Sequence, residues 1–207
     1  MKPDTLIGSD IKLSFRCASM IKTDNTTTKL TGTAILAALV LVFDYSLKYS
    51  GLKIPFPWYP NLKFDFTGVP IALCLFLYGL PSSVITGLVA GLGIFARSGN
   101  ILSASLKAIA ELSTILGMAL GMFLLKENIG ETGGQLGTIL TGTASRVIVM
   151  TAVNLYVLPT FYGVPLSATY GLLPLIGLFN LVQGLITILL GFFLNGAIRD
   201  RLGVSSG

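Results

Sequence analysis

From Leu30 onward the chain alternates long apolar blocks with short polar or glycine-rich breaks. A membrane-spanning helix needs about 20 mainly apolar residues, and the first such run lies at about 31–48. The next apolar block, 66–97, is too long for one helix, which would extend roughly 48 Å at 1.5 Å per residue. Gly79-Leu80-Pro81-Ser82-Ser83 interrupts it, and glycine followed by proline punctuates helices. The block therefore predicts two short helices, about 66–80 and 82–96, which could cross fully or form a re-entrant pair. Further runs at about 104–125, 138–158 and 171–196 bring the total to six spans. The expected fold is an all-α integral membrane protein with six transmembrane helices.

The flanks divide the chain into a tail, a membrane domain and a second tail. Residues 1–29 mix Lys2, Lys12, Arg16, Lys22 and Lys29 with Asp4, Asp10, Asp24 and three consecutive threonines. Polar residues interrupt their only apolar stretch, which argues against a cleaved signal peptide. They are expected to form a weakly ordered N-terminal tail, with the six-helix domain over 30–197 and a second tail over 198–207. An even number of spans puts both termini on one side. That side would hold Lys2, Lys12, Arg16, Lys22, Lys29, Lys126, Arg199 and Arg201, and the opposite side Lys48, Lys53, Lys63 and Arg97, with Lys107 at the border. The excess of basic residues marks the first side as cytoplasmic, and the expected location is the cell membrane.

Composition agrees. Of 207 residues 53% are apolar and 11% charged, against roughly 25% charged in soluble domains. Lys and Arg number 14 and Asp and Glu 9, a net charge of +5. In so apolar a chain this surplus suits an anionic lipid surface rather than nucleic acid. There is no histidine and there are two cysteines, so a Ser-His-Asp triad, a His-ligated metal and a four-cysteine zinc site are excluded. No phosphate-binding Gly-x-x-x-x-Gly-Lys-Ser/Thr loop occurs. These absences predict neither enzyme nor cofactor, and if the chain is a transporter its energy comes from elsewhere.

Polar residues inside spans are costly and mark function. Lys107 and Glu111 are four apart on one helix face. Arg146 and Asn154 share the fifth span, and Asn180 and Gln183 lie three apart in the sixth. Lys107, Glu111, Asn154, Asn180 and Gln183 fall in the outer half, where several amides and one ion pair suit a polar, roughly neutral ligand. Above them runs Ile54-Pro55-Phe56-Pro57-Trp58-Tyr59-Pro60-Asn61, whose prolines restrict the backbone and whose aromatics suit a lid. Tyr156, Phe161, Tyr162 and Tyr170 add aromatics at the same end, where an interfacial belt is also expected. The pairs Ala34/Ala38, Gly87/Gly91 and Gly117/Gly121 have the small-x-x-x-small spacing of close helix contacts.

Four stretches carry a family likeness: Ala34-Ile35-Leu36-Ala37-Ala38-Leu39, Leu62-Lys63-Phe64-Asp65-Phe66-Thr67-Gly68-Val69-Pro70, 150–159 from Met150 to Pro159, and Phe179-Asn180-Leu181-Val182-Gln183-Gly184. With them the chain resembles the substrate-capture (S) components of energy-coupling-factor (ECF) vitamin transporters, most closely the riboflavin-specific branch. The resemblance implies a six-helix monomer with both termini inside, and riboflavin or a similar flat heterocycle as ligand. It implies that Asn154 and Asn180 hydrogen-bond the ligand and that the first outer loop, with Trp58 and Tyr59, caps it. Lys63 lies in the second matching stretch and joins the candidate contacts; Lys107 and Glu111 match by region. Gln183 stands where riboflavin-type members usually carry Lys, replacing a charge-assisted contact with an ordinary hydrogen bond. The resemblance further implies that Ala34 and Ala38 face a transmembrane coupling (T) subunit, itself joined to two ATP-binding subunits. Another small vitamin or a modified-base precursor is the alternative ligand, and a solitary carrier or channel the alternative function.

Overall fold

A computed structural model describes residues 26–125 and 130–201, with the side chains of 59–61, 125 and 130–132 excepted. Most of the expected N-terminal tail, Lys126 and the end of the C-terminal tail lie outside the described residues. The elements run α1 (Thr26–Tyr49), β1 (Ile54–Phe56), β2 (Tyr59–Phe64), α2 (Gly68–Tyr78), α3 (Leu80–Ser98), α4 (Ile101–Leu125), α5 (Gly130–Phe161) and α6 (Leu166–Arg201). α1 begins within the threonine run, earlier than the boundary at 29/30, and α6 continues to Arg201.

Five of these helices, all but α2, are long and apolar enough to cross a membrane. α2 has 11 residues, about 16 Å of helix, roughly half the hydrocarbon thickness. The division of the 66–97 block falls at Gly79. This residue has φ +88°, which glycine adopts without strain, and its N–H caps the Leu75 carbonyl at 3.1 Å. Pro81, whose missing N–H costs nothing in a first helical turn, starts the return.

α2 is apolar on every side, and a helix of that kind belongs in an interior. Ile71, Ala72, Leu75 and Phe76 pack with Val40 of α1, Ala90 of α3, Ile115 and Met118 of α4 and Ile188 and Phe192 of α6. Around this centre the usual distribution is inverted. Large apolar side chains such as Leu92, Phe123, Leu140, Ile148 and Phe193 are exposed, whereas Asp44, Thr86, Glu111, Arg146, Asn180, Gln183 and Asn195 are buried. An apolar outside suits lipid, and Asp44, Glu111, Arg146, Asn180 and Gln183 have polar partners within. The chain is therefore a multi-pass membrane protein. Gly117 and Gly121 bring α4 against α5, and a Cβ at Gly117 would lie 2.6 Å from the Thr141 carbonyl. Ala34 and Ala38 do not pack the bundle; they are exposed on α1 beside Ile35 and Leu39.

The loop between α1 and α2 is not irregular. β1 and β2 form an antiparallel hairpin, with Ile54 opposite Phe64 and Pro55 opposite Lys63, and its register shifts between Pro55 and Phe56. Proline is tolerated because the strand has a free edge. Phe56 anchors the hairpin, its ring 5.7 Å from Phe179 of α6 and 5.9 Å from Phe64.

Candidate functional site

Segments of α1, α3, α4, α5 and α6 and the strand β2 surround a cavity of about 570 Å³. Its inner wall is a continuous polar network. Lys107 Nζ donates to both oxygens of Asp65, at 2.8 and 3.1 Å, and to Glu111 Oε1 at 2.7 Å. Arg146 Nη1 lies 3.4 Å from the same Glu111 oxygen and donates to Thr114 Oγ1 at 3.0 Å and to the Ala110 carbonyl at 3.4 Å. Arg146 Nε donates to Asn180 Oδ1 at 3.3 Å. Two cations and two carboxylates thus alternate across α4, α5 and the β2–α2 junction, which makes their joint burial tolerable.

Asp65 precedes α2 and closes the network toward the hairpin. Thr67 donates to Asp65 Oδ1 through its hydroxyl (2.7 Å) and its N–H (3.3 Å). Burial raises the Asp65 carboxyl, but the charge and hydrogen bond of Lys107, helped by Lys53 and Thr67, prevail and lower it to about 2. Gln183 Nε2 donates to the Asp65 carbonyl at 2.7 Å, and Gln183 Oε1 accepts from the Asp65 N–H at 3.4 Å. Gly68 makes room for the network at the start of α2. A Cβ there would lie 2.7 Å from both Glu111 Oε2 and Thr187 Oγ1.

A second set of ion pairs fixes the rim. Asp44, buried on α1, accepts from Lys53 Nζ at 2.6 Å and from Arg97 Nε of α3 at 2.9 Å. Lys48, in the last turn of α1, and Lys63 of β2 also line the cavity. Leu62, Ile94, Leu106, Met150, Leu158 and Phe179 supply apolar surface, with Tyr162 at the edge. Walls that combine apolar surface with placed polar groups are typical of small-molecule sites.

The expected site residues divide into three groups. Lys63, Lys107, Asn154, Asn180 and Gln183 converge on the cavity. Glu111 does not line it: the residue is fully buried one layer behind, holding Lys107 and Arg146 in place. Trp58 does not line it either. The side chain is 65% exposed and rests edge-on against Phe56, with centroids 5.2 Å apart, because the hairpin's register turns Phe56 inward instead. The Tyr59 side chain lies outside the described residues. Asn154 and Asn180 each donate to a carbonyl one turn back, Met150 at 2.7 Å and Ile176 at 2.9 Å, which orients their amide oxygens. Tyr156, Phe161 and Tyr170 are more than half exposed on the outside, as an interfacial belt requires. Among the described residues no three His, Cys, Asp or Glu side chains come together to hold a metal.

Sequence reasoning overlooked Asp65 and Phe179 as site residues and left Arg146 out of the ligand-contact set. Arg146 carried a signal, a cation deep in a span. Asp65 lay in a loop segment, and its burial comes from Lys107, Thr67 and Gln183 closing around it.

The fold is that of a helical membrane protein with a polar chamber at one end. A solved structure described as the S component of a bacterial ECF transporter superposes with a TM-score of 0.70, at 23% identity, over 86% of this chain and 99% of that one. The two share a fold. No family model and no curated protein matches the chain.

Proposed function

We propose that the chain is the substrate-capturing membrane subunit of an ECF-type uptake transporter, holding riboflavin or a similar flat heterocycle in the hairpin-end cavity. The observation that carries this reading is the chamber itself. It is large enough for a vitamin-sized molecule, being within the roughly 300–1,000 Å³ of ligand pockets, and it is walled by apolar side chains with amides at fixed positions. The shared fold with an S component supports the transport role. A flat ring system would lie against Leu62, Met150 and Phe179, while Asn154 and Asn180 hydrogen-bond its polar edges. Lys63, Lys107 and Gln183 would face the ligand, and Glu111 would hold the wall from behind. Trp58 and Tyr59 at the hairpin tip would close over the bound molecule.

On this reading both termini are cytoplasmic, the membrane is the cell membrane, and six helices span it, α2 and α3 forming the shortest pair. Ala34 and Ala38 meet a transmembrane coupling subunit, and two ATP-binding subunits drive the cycle. Purified protein is expected to quench riboflavin fluorescence saturably, and Asn180→Ala to weaken binding by at least tenfold, about 1.4 kcal/mol. Lack of saturable quenching at micromolar protein would defeat riboflavin as the ligand. Riboflavin uptake into liposomes by this chain alone, without ATP or partners, would replace the capture subunit with a solitary carrier.

A further inference from the structure

The polar wall is balanced in charge, but the cavity as a whole is not. Lys48, Lys53, Lys63, Arg97, Lys107 and Arg146 line it, and the carboxylates that meet them are Asp44, Asp65 and Glu111. Asp44 serves Lys53 and Arg97, while Asp65 and Glu111 serve Lys107 and Arg146. Among the described residues neither Lys48 nor Lys63 has an acidic partner, so the surplus of positive charge collects at the mouth. Lys48 comes from the end of α1 and Lys63 from β2, where it faces Pro55 across the hairpin. A cationic opening backed by low-dielectric protein concentrates anions.

We infer that the molecule captured here carries an anionic group, a phosphate monoester or a carboxylate, held at the mouth between Lys48 and Lys63 while its apolar ring system fills the chamber below. This rests on the capture reading above and replaces a roughly neutral ligand with an acidic one. The inner wall could not serve the same purpose, because Lys107 is already held by two carboxylates. At the mouth an anion stays partly hydrated and meets two lysines whose ammonium groups have no competing acid. An anionic lipid headgroup shares this chemistry, so the test must separate the two sources.

The test compares riboflavin with riboflavin 5′-phosphate on protein in neutral phosphatidylcholine nanodiscs at low salt. Two partly exposed ion pairs should make the phosphate bind roughly tenfold tighter, a margin that shrinks at about 0.5 M salt. Lys48→Gln with Lys63→Gln should bring the affinity ratio to about one, and Lys48→Arg with Lys63→Arg should keep it. Equal or weaker binding of the phosphate, or a preference that survives the double Gln variant, overturns the inference. If neither flavin saturates, the riboflavin reading fails and inorganic pyrophosphate reads the mouth instead. It should raise the Tm of the parent protein and not that of the double Gln variant, and an equal or absent shift overturns the inference. Loss of both effects on adding phosphatidylglycerol assigns the lysine pair to a lipid headgroup and overturns the inference that the captured molecule supplies the anion.

Discussion

Gln183 grips the main chain of Asp65 from both sides, donating to its carbonyl at 2.7 Å and accepting from its N–H at 3.4 Å. The residues are 118 positions apart in sequence, and this contact ties α6 to the junction between the hairpin and α2. A side-chain amide is suited to the task because it offers a donor and an acceptor side by side, as a neighbouring peptide group does.

Replacing Gln183 should therefore loosen the hairpin root. Gln183→Leu strands a buried N–H and a buried carbonyl and should cost about 2–4 kcal/mol. Gln183→Glu sets a carboxylate against the Asp65 carbonyl and should cost at least as much. Thermal unfolding in detergent measures both. A Tm within experimental error of the parent protein would show that the grip contributes nothing to stability.

Glu111 is the shared counter-ion of Lys107 and Arg146. Glu111→Gln leaves two buried cations with Asp65 as their only carboxylate, a change expected to cost about 3–5 kcal/mol. Adding Arg146→Gln removes one of the stranded charges and should recover part of the loss. A double-mutant cycle on unfolding free energies reads the coupling. Strict additivity would refute the pairing.

Asp65 gives the network a pH dependence. Its carboxyl is held at about 2 rather than 3.8, so its contribution is complete above the higher value and is lost as pH falls toward the lower. The stability difference between the parent protein and Asp65→Asn should be constant above about pH 5. It should then shrink by on the order of 2 kcal/mol between about pH 4 and 2. A difference that grows on acidification would contradict the assignment.

Ala34 and Ala38 face outward on α1. Ala34→Trp with Ala38→Trp should abolish co-purification with co-expressed coupling and ATP-binding subunits, while the isolated chain keeps its ligand affinity within about twofold. Assembly at the parent level would show that this face meets lipid alone.

The helix order was legible because bilayer hydrophobicity writes long apolar runs, and Gly79 with Pro81 marked the one break that length alone could not place. Lys107, Asn154, Asn180 and Gln183 were legible because polar groups inside spans stand out against Leu and Val. Asp65 was hidden by its place outside a span. Its burial comes from Lys107 of α4 and Gln183 of α6, contacts distant in sequence that no periodic pattern shows. The aromatic loop was legible as chemistry and not as geometry. Strand pairing turns Phe56 inward and Trp58 outward, and a run with proline at Pro55, Pro57 and Pro60 carries no clear alternation to set that register. Glu111 was read as a contact because sequence gives the helix face and not the layer.

The hairpin is fastened at both roots, by the Asp44 clamp on Lys53 before β1 and by the Gln183 grip on Asp65 after β2. Fixing one residue's backbone costs roughly 1–2 kcal/mol, so a free loop of this length would consume most of a ligand's binding energy when it closed. With its ends pinned and Phe56 seated, little of the hairpin's backbone is left free. The protein has met most of that entropic cost during folding, before any ligand arrives.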